Sequence, residues 1–238
     1  MTALTGIKIA DFSRVLAGPY ASMLLGDMGA EVIKIERPVD GDDTRTWGPP
    51  FNEDGTSTYF QSVNRNKLGV TADLSTAAGK AKALEIIGQC DVLIENFTVG
   101  TMEEFGFGYE ELHKKFPKLI YCSISGFGTS ELAKKLPGYD LLVQGMSGLM
   151  SITGVDSESP TKVGVALVDV ISGLHAALGI SAALVSRAET GIGQKIAVNL
   201  LSSALSAMVN QSGAFAGAGV TPKAMGNAHP SIAPYEVY

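Results

Sequence analysis

Residues 6–36, GIKIADFSRVLAGPYASMLLGDMGAEVIKIE, constrain the fold more than any other part of the chain. The outer runs IKIADF and AEVIKIE are short and rich in apolar and β-branched residues, which is typical of strands covered on both faces. Between them, Pro19 can occupy the first turn of a helix and Gly29 suits its end. The segment therefore predicts a βαβ unit with a right-handed crossover.

The same alternation continues along the chain. Ser75 can cap a helix that runs to about Gln89, DVLIEN reads as a strand, EELHKKF as a short helix, and KLIYCSISGFG as a strand ending in a glycine-rich turn. A long apolar helical stretch follows, and then GQKIAVN predicts a strand running into a second long helix. This order predicts an α/β fold, a doubly wound and mostly parallel Rossmann-like sheet. Such sheets bind ligands beyond the carboxyl ends of their strands.

Composition narrows the functional classes. The 238 residues carry a net charge of −6 without a basic run, which argues against a nucleic-acid binder. Cys90 and Cys122 form no CxxC motif and the three histidines are scattered, so we expect a reducing, cytoplasmic setting and no metal site. Residues 163–185 approach a membrane span in length, but Asp169 and His175 are costly in hydrocarbon, so no membrane segment is expected.

Asp169 is an isolated carboxylate in the apolar run GVALVDVISGLHAALG. On residue type alone, it is either a helix cap, a paired structural acid or a nucleophile. If a helix begins near Asp169, unpaired backbone N–H groups would stabilise the carboxylate as an anion, as a nucleophilic carboxylate requires. His175 lies six residues further on, which does not suit an Asp–His relay, and is interpreted as a packed core histidine.

Other candidates lie just after predicted strands. Arg37 can contact phosphate or belong to a solvated loop. Asn96 and Phe97 can bond and cover a ligand, or form a turn and pack in the core. Glu36 ends the second strand where a ribose-binding acid would lie, but the preceding turn SRVLAGPYAS lacks GxGxxG, which disfavours a nicotinamide enzyme.

Several ordered motifs resemble those of a known family: SRVLAGPYASMLLGDMGAEVIKIERP, GDDTRTWGPPF, YFQSVNRNK, LIENF, LIYCSISGFG, PGYDLLVQGMSGLMSITG, GVALVDVISGLHAALG, TGIGQKIAVNLLSS and HPSIAPYEV. From about Leu4 to Tyr238 the chain resembles the class III CoA-transferases, which include the formyl-CoA and carnitine CoA-transferases. GDDTRTWGPPF and STYFQSVNRNK further resemble the succinyl-CoA:glutarate (dicarboxylate) branch.

The resemblance implies a catalytic role for Asp169 as the nucleophile that attacks an acyl-CoA thioester, giving an aspartyl-acyl anhydride and CoA thiolate, after which a free carboxylic acid takes over the CoA. Coenzyme A is then a substrate, and no prosthetic group is implied. Tyr139 could hydrogen-bond the acyl or anhydride oxygen. The remaining residues implied to bind CoA are Val15, Leu16, Arg37, Ala72, Asn96, Phe97 and Phe105.

The sequence departs from family patterns at informative positions. Leu16 replaces a glutamine of formyl-CoA transferase, which disfavours formyl transfer. Glu104 and Pro137 stand where basic residues would meet the adenine end, leaving the neighbouring Lys134 or Lys135 as substitutes. In addition, the related racemases have Gly-His-Asp where this chain has GYD at residues 138–140, so α-proton abstraction loses its imidazole. A racemase and a non-catalytic CoA-binding scaffold remain the alternatives.

The resemblance also implies a domain organisation. Residues 1–225 would form the large domain, and residues 226–238, rich in Gly, Pro and His, would begin a linker to a smaller domain. Family members interlock two subunits, so a homodimer is expected for the complete polypeptide, and the present chain alone is expected to lack acceptor contacts.

Overall fold

Six strands form one fully parallel sheet in the computed structural model, which describes residues 2–235 and 237. They are β1 (Lys8–Asp11), β2 (Glu31–Glu36), β3 (Lys67–Thr71), β4 (Val92–Glu95), β5 (Ile120–Ser125) and β6 (Lys195–Asn199). Their spatial order is β3-β2-β1-β4-β5-β6, and each neighbouring pair is parallel. The predicted doubly wound α/β fold is confirmed, and the strand order reverses direction between β1 and β4.

Helices connect these strands. They are α1 (Ala17–Asp27), α2 (Thr58–Val63), α3 (Ala77–Gly88), α4 (Thr101–Phe105), α5 (Tyr109–Lys115), α6 (Asp140–Met146), α7 (Leu149–Ile152), α8 (Leu167–Thr190), α9 (Leu200–Ala207) and α10 (Val209–Ala218). Short 3₁₀ turns cover Asp43–Thr46 and Ala133–Lys135.

Two apolar cores cover the two faces of the sheet. On one face, side chains of α1, α8 and α9 pack on β1, β4 and β5, for example Leu25 and Ile180 on Ile94. On the other face, α3, α4 and α5 contribute residues such as Ile87 and Leu112. Because both faces are covered, the central strands need continuous rather than alternating apolar residues, and β4 is buried at every position.

The first βαβ unit follows the sequence prediction. Pro19 lies in the first turn of α1, where a missing N–H costs nothing. Gly29 follows the end of the helix with φ +102°, a backbone conformation that side chains resist. The chain therefore turns sharply from α1 into β2.

Helix α8 lies close against α1. A Cβ atom added at Gly173 would lie 2.7 Å from the carbonyl oxygen of Ala17, so glycine permits this approach. Within the described residues, α8 also has the length and apolarity of a membrane span, with a mean hydropathy of 1.7 over an 18-residue window. One face of α8 packs on α1, β5, β6 and α9, whereas Leu174, Leu178 and Val185 are exposed.

Two predictions about helix boundaries were wrong. Helix α3 is capped by Thr76, whose hydroxyl accepts the N–H of Gly79 at 3.1 Å, while the Ser75 hydroxyl donates to Asp73 instead. The predicted second long helix is divided at Met208 into α9 and α10.

Candidate functional site

A cavity of about 580 Å³ lies beyond the carboxyl ends of β1, β4 and β5. Because the strand order reverses between β1 and β4, the loops that follow these strands diverge and leave space between them. Residues of all three loops line the cavity, including Val15, Asn96 and Gly126, and Asp169 enters it from the start of α8.

Asp169 lies in the first turn of α8, between the buried Val168 and the half-buried Val170. Burial, followed by the nearby charge of Asp140, raises the pKa of Asp169 to about 7. Among the described residues, no cation forms an ion pair with this carboxylate and no group donates a hydrogen bond to it. The side chain is therefore available to a molecule in the cavity.

The structure corrects the expected stabilisation of the Asp169 anion. The N–H groups of Val168 and Asp169 donate to Oδ1 of Asp140, at 2.8 and 3.2 Å. Asp140, from α6, is thus the carboxylate that caps α8. Asp169 gains no such partner, and the second negative charge works against its ionisation.

The loop between β1 and α1 rests on buried, compensated charges. Asp11 accepts hydrogen bonds from the Ser13 and Ser22 hydroxyls and pairs with Lys67 Nζ at 3.1 Å. Burial would raise the pKa of Asp11, but the charges of Lys67 and Lys34 and the two hydroxyls lower it to about 2. The network holds the loop that bears the next residues of the site.

Val15 and Leu16 line the cavity at the predicted position. Val15 has φ +67°, and its N–H donates to the buried Asp42 carboxylate at 3.3 Å. Asp42 in turn pairs with Lys34 at 2.9 Å. The unusual backbone conformation of Val15 is therefore fixed by a second buried ion pair.

Asn96 lines the cavity, but its amide is engaged within the protein. Its Oδ1 accepts the N–H of Arg14 at 2.8 Å, and its Nδ2 donates to the Arg14 carbonyl at 2.7 Å. Both ends of this amide therefore join the β4 and β1 loops, and the expected contact between Asn96 and a ligand stays a prediction.

A second cavity of about 310 Å³ lies on the other side of Phe97. Arg37, Ala72, Phe97 and Phe105 all line it, as four of the predicted binding residues. Phe97 and Arg14 border both cavities, and the Arg14 guanidinium carbon lies 5.1 Å from the centre of the Phe97 ring. The predicted residues thus fall into two adjoining cavities.

Charged side chains around the second cavity are mostly paired. Arg37 contacts Asp43 at 2.6 Å on the surface. Glu36, considered as a ribose-binding acid, accepts two hydrogen bonds from Arg45, at 2.8 and 2.7 Å, and the N–H of Asp42 at 2.8 Å. Glu36 is therefore committed to its own loop.

The first cavity is also lined by Tyr139, Pro137, Lys134 and Lys135. Tyr139 is exposed, and Lys134 forms a surface ion pair with Glu131 at 2.7 Å. Glu104 lines neither of the two cavities. Lys134 and Lys135 thus line the cavity that Asp169 enters and not the second one, and their role at the adenine end stays a prediction.

His175 is not a fully packed core residue. It is half-buried and its Nδ1 lies 3.0 Å from the Ser203 hydroxyl on α9. Within the described part of the chain, no three His, Cys, Asp or Glu side chains form a group that could hold a metal ion.

Sequence reasoning missed two residues of the site. Arg14 borders both cavities, and its position in the loop after β1 was a usable signal. Asp140 caps α8 from 28 residues away, a contact that local patterns do not reveal. The i, i+4 spacing of Asp140 and Gln144 on one short helix was the available hint.

The fold and the adjoining cavities define an α/β protein with a ligand cleft at the reversal of its strand order. The model of "CoA-transferase family III" matches residues 4–238, and the chain belongs to this family.

Individual relatives agree with that assignment. The chain is 46% identical to succinate–glutarate CoA-transferase of Agrobacterium fabrum, over 98% of this chain and 60% of the relative. It is 44% identical to human succinyl-CoA:glutarate CoA-transferase, over 99% of this chain and 53% of the relative. A crystal structure of a CAIB/BAIF family protein from Brucella suis, 45% identical, superimposes with a TM-score of 0.93 over 99% of this chain and 63% of that one. The chain thus spans little more than half the length of the curated relatives.

Proposed function

We propose that this chain carries the CoA-binding and acyl-accepting part of an enzyme that transfers CoA from an acyl-CoA to a free carboxylic acid, with Asp169 as the nucleophile. The observation that carries the proposal is the Asp169 carboxylate, which faces a cavity of about 580 Å³ without an ion-pair partner in the described part of the chain. A carboxylate held in this way keeps its nucleophilicity, because no hydrogen bond or cation withdraws its charge.

The first step is an acyl transfer. An Asp169 oxygen attacks the thioester carbonyl carbon, the carbon–sulfur bond breaks, and CoA leaves as the thiolate. The products are an aspartyl-acyl anhydride and bound CoA, so atoms and charge balance. The incoming carboxylic acid then takes over the CoA through further enzyme-bound intermediates, and Asp169 is regenerated.

The two cavities suggest how acyl-CoA lies in the protein. The nucleotide end would occupy the cavity lined by Arg37, Ala72 and Phe105. Pantetheine would pass Phe97 and Arg14, which border both spaces, and the thioester would reach Val15, Leu16 and Asp169. Tyr139 lines the same cavity, and its hydroxyl could donate a hydrogen bond to the acyl oxygen.

The names of the relatives support a proposal for the substrate class. The A. fabrum and human proteins carry succinate or succinyl-CoA and glutarate in their names. We therefore propose succinyl-CoA as donor and a dicarboxylic acid as acceptor. Leu16, an apolar side chain on the cavity wall, suits the methylene groups of such an acyl chain better than a formyl group.

The test is to trap the acylated protein. The purified protein is mixed with succinyl-CoA, and intact mass spectrometry measures the gain of one succinyl group. Hydroxylamine or borohydride trapping followed by peptide mapping should place the modification on Asp169. Asp169→Asn should show no adduct yet still bind CoA, and Asp156→Asn, an exposed carboxylate outside both cavities, should react as the parent does.

Other outcomes would contradict the proposal in recognisable ways. Deuterium exchange at the α-carbon of a branched acyl-CoA without an adduct would identify a racemase. CoA binding with neither adduct nor exchange would identify a binding scaffold. An adduct that persists in Asp169→Asn would assign the nucleophile to another residue.

We also propose the organisation implied by the family resemblance. Residues 1–225 act as the large domain, and residues 226–238 begin a linker, whose Glu236 and Tyr238 lie outside the described residues. The complete polypeptide is proposed to be a cytoplasmic homodimer. Sedimentation equilibrium of that polypeptide should give the mass of two subunits, and a monomer mass would overturn this part of the proposal.

A further inference from the structure

Two side chains of α6 hold the segment that leads into α8, residues 163–169. Gln144 is buried; its Oε1 accepts the N–H of Val163 at 2.9 Å, and its Nε2 donates to the Val165 carbonyl at 3.4 Å. Asp140, one turn earlier, accepts the Gln144 amide at 2.6 Å through Oδ2. Its Oδ1 accepts the backbone N–H groups of Val168 and Asp169. The start of α8 is therefore fixed from α6.

We propose that Asp140 is a positioning residue for Asp169, which orients the nucleophile by capping α8 and destabilises its free anion by placing a second negative charge beside it. This inference rests on the proposed role of Asp169. It adds a function for a residue outside the reacting atoms.

The destabilisation of the Asp169 anion follows from the presence of the Asp140 carboxylate at the N-terminus of α8. Free N–H groups in a first helical turn stabilise a nearby anion. Here the N–H groups of Val168 and Asp169 already donate to the Asp140 carboxylate. The Asp169 side chain therefore lies beside the negative charge of Asp140 instead of beside free N–H groups. Burial and this like charge act in the same direction on Asp169.

The other charged and titratable groups near Asp169 do not reverse this balance. Tyr59 faces it from α2, and burial together with the charges of Asp169 and Asp140 raises the pKa of that phenol. Across the cavity, Arg14 pairs with Asp43 and Lys134 with Glu131. The remaining ionisable groups in view are Lys135 and Tyr139 on the cavity wall and His175 further along α8.

The arrangement has a consequence for the proposed reaction. The free Asp169 carboxylate and Asp140 repel each other, whereas the anhydride group formed at Asp169 is itself uncharged. Acylation therefore relieves the repulsion, because the negative charge leaves with the CoA thiolate. Asp140 therefore raises the energy of the reactant anion.

Carboxyl ¹³C NMR of aspartate-labelled protein tests this inference without any thioester. The Asp169 signal is assigned by its loss in Asp169→Asn and followed against pH. Asp140→Asn keeps an oxygen acceptor for the capping bonds but removes the charge, so the Asp169 midpoint should fall by at least about one pH unit. Asp156→Asn is the matched control, since Asp156 also accepts two backbone N–H groups, from Glu158 and Ser159, and lines neither cavity.

A second readout links the effect to chemistry. The midpoint of the pH profile for adduct formation with succinyl-CoA should move down in Asp140→Asn in step with the NMR midpoint. If Asp140→Asn does not fold, Asp140→Ser supplies an uncharged oxygen for the same N–H groups. An Asp169 midpoint that is unchanged in a folded, uncharged variant would overturn the inference. A shifted midpoint in a protein that forms no adduct would support it while refuting the proposed function.

Discussion

Two carboxylates in apolar surroundings, Asp11 and Asp169, have opposite environments. Burial acts on both by disfavouring the charged form. At Asp11, Lys67, Lys34 and two serine hydroxyls outweigh that effect and lower the pKa to about 2. At Asp169 no described residue offsets the effect of burial, and a second carboxylate adds to it, so the pKa rises to about 7. The compensated acid stabilises the fold, and the uncompensated acid remains available for chemistry.

The largest expected effect comes from removing the compensation at Asp11. Lys67→Met leaves a buried aspartate without its nearest cation and should lower the free energy of unfolding by about 3–5 kcal/mol. Arg65→Met is the control, because Arg65 pairs with Asp27 on the surface, and should cost about 1 kcal/mol or less. Urea denaturation monitored by circular dichroism measures both. Equal losses in the two variants would show that the Asp11 network is not special.

A second prediction concerns the close packing of α8, which carries Asp169, on α1, which follows Asp11 in the chain. In Gly173→Ala, the new methyl group meets the Ala17 carbonyl and the Tyr20 ring, so α8 must move from α1 at a cost of about 1–3 kcal/mol. In Gly213→Ala the added Cβ of α10 meets open space, and a gain of about 0.4–1 kcal/mol is expected. Denaturant midpoints of the two variants decide the matter, and a loss at both positions would contradict this reading of the helix contact.

Asp169 and Asp11 should change the free energy of unfolding in opposite directions as pH rises, because the pKa of Asp169 is raised and that of Asp11 is lowered. Because the folded protein holds the pKa of Asp169 at about 7, above its ordinary value of 3.8, the folded state loses stability as pH rises through that interval. Asp169→Asn removes this cost. The variant should equal the parent near pH 4 and exceed it by about 1–2 kcal/mol at pH 8, with allowance for partial solvent screening. Thermal and urea unfolding at both pH values provide the test; a variant less stable than the parent at pH 8 would refute it.

The smallest predicted loss of stability concerns the hydrogen bonds between the loops that follow β1 and β4. Asn96→Ala removes both hydrogen bonds to the Arg14 backbone and should cost about 1 kcal/mol. Asn52→Ala, which removes exposed side-chain bonds to Thr56 and Gln61, should cost about 0.5 kcal/mol or less. Hydrogen exchange at the Arg14 amide should accelerate only in the first variant. Unchanged exchange there would remove Asn96 from this role.

Most of the sheet could be predicted from the sequence, because local residue patterns alone identify the central strands. The apolar segments that form β1, β2, β4 and β5 are typical of strands covered on both faces. The edge strand β3, KLGVT, was missed, since three of its five residues are exposed and it contains a glycine. Its assignment depends on pairing with β2, which local patterns do not encode.

The site was predicted less completely, for a similar reason. Position after a strand located Arg37 and Phe97 near the cavities, because parallel strands end at one edge of a sheet. Val15 was implied by the family resemblance alone. The hydrogen-bond partners of these side chains could not be predicted from the sequence. Asn96 resembles a ligand contact until the Arg14 backbone is seen beside it, and the cap on α8 comes from Asp140 on another helix.

The most direct test of the central claim is a carboxyl ¹³C NMR titration that follows Asp11 and Asp169 in the same sample, assigned with Asp11→Asn and Asp169→Asn. Asp169 should titrate near pH 7, and Asp11 should stay ionised down to about pH 2, or until the protein unfolds. If both carboxylates titrate together near the ordinary value of 3.8, the contrast between compensated and uncompensated acids would be refuted.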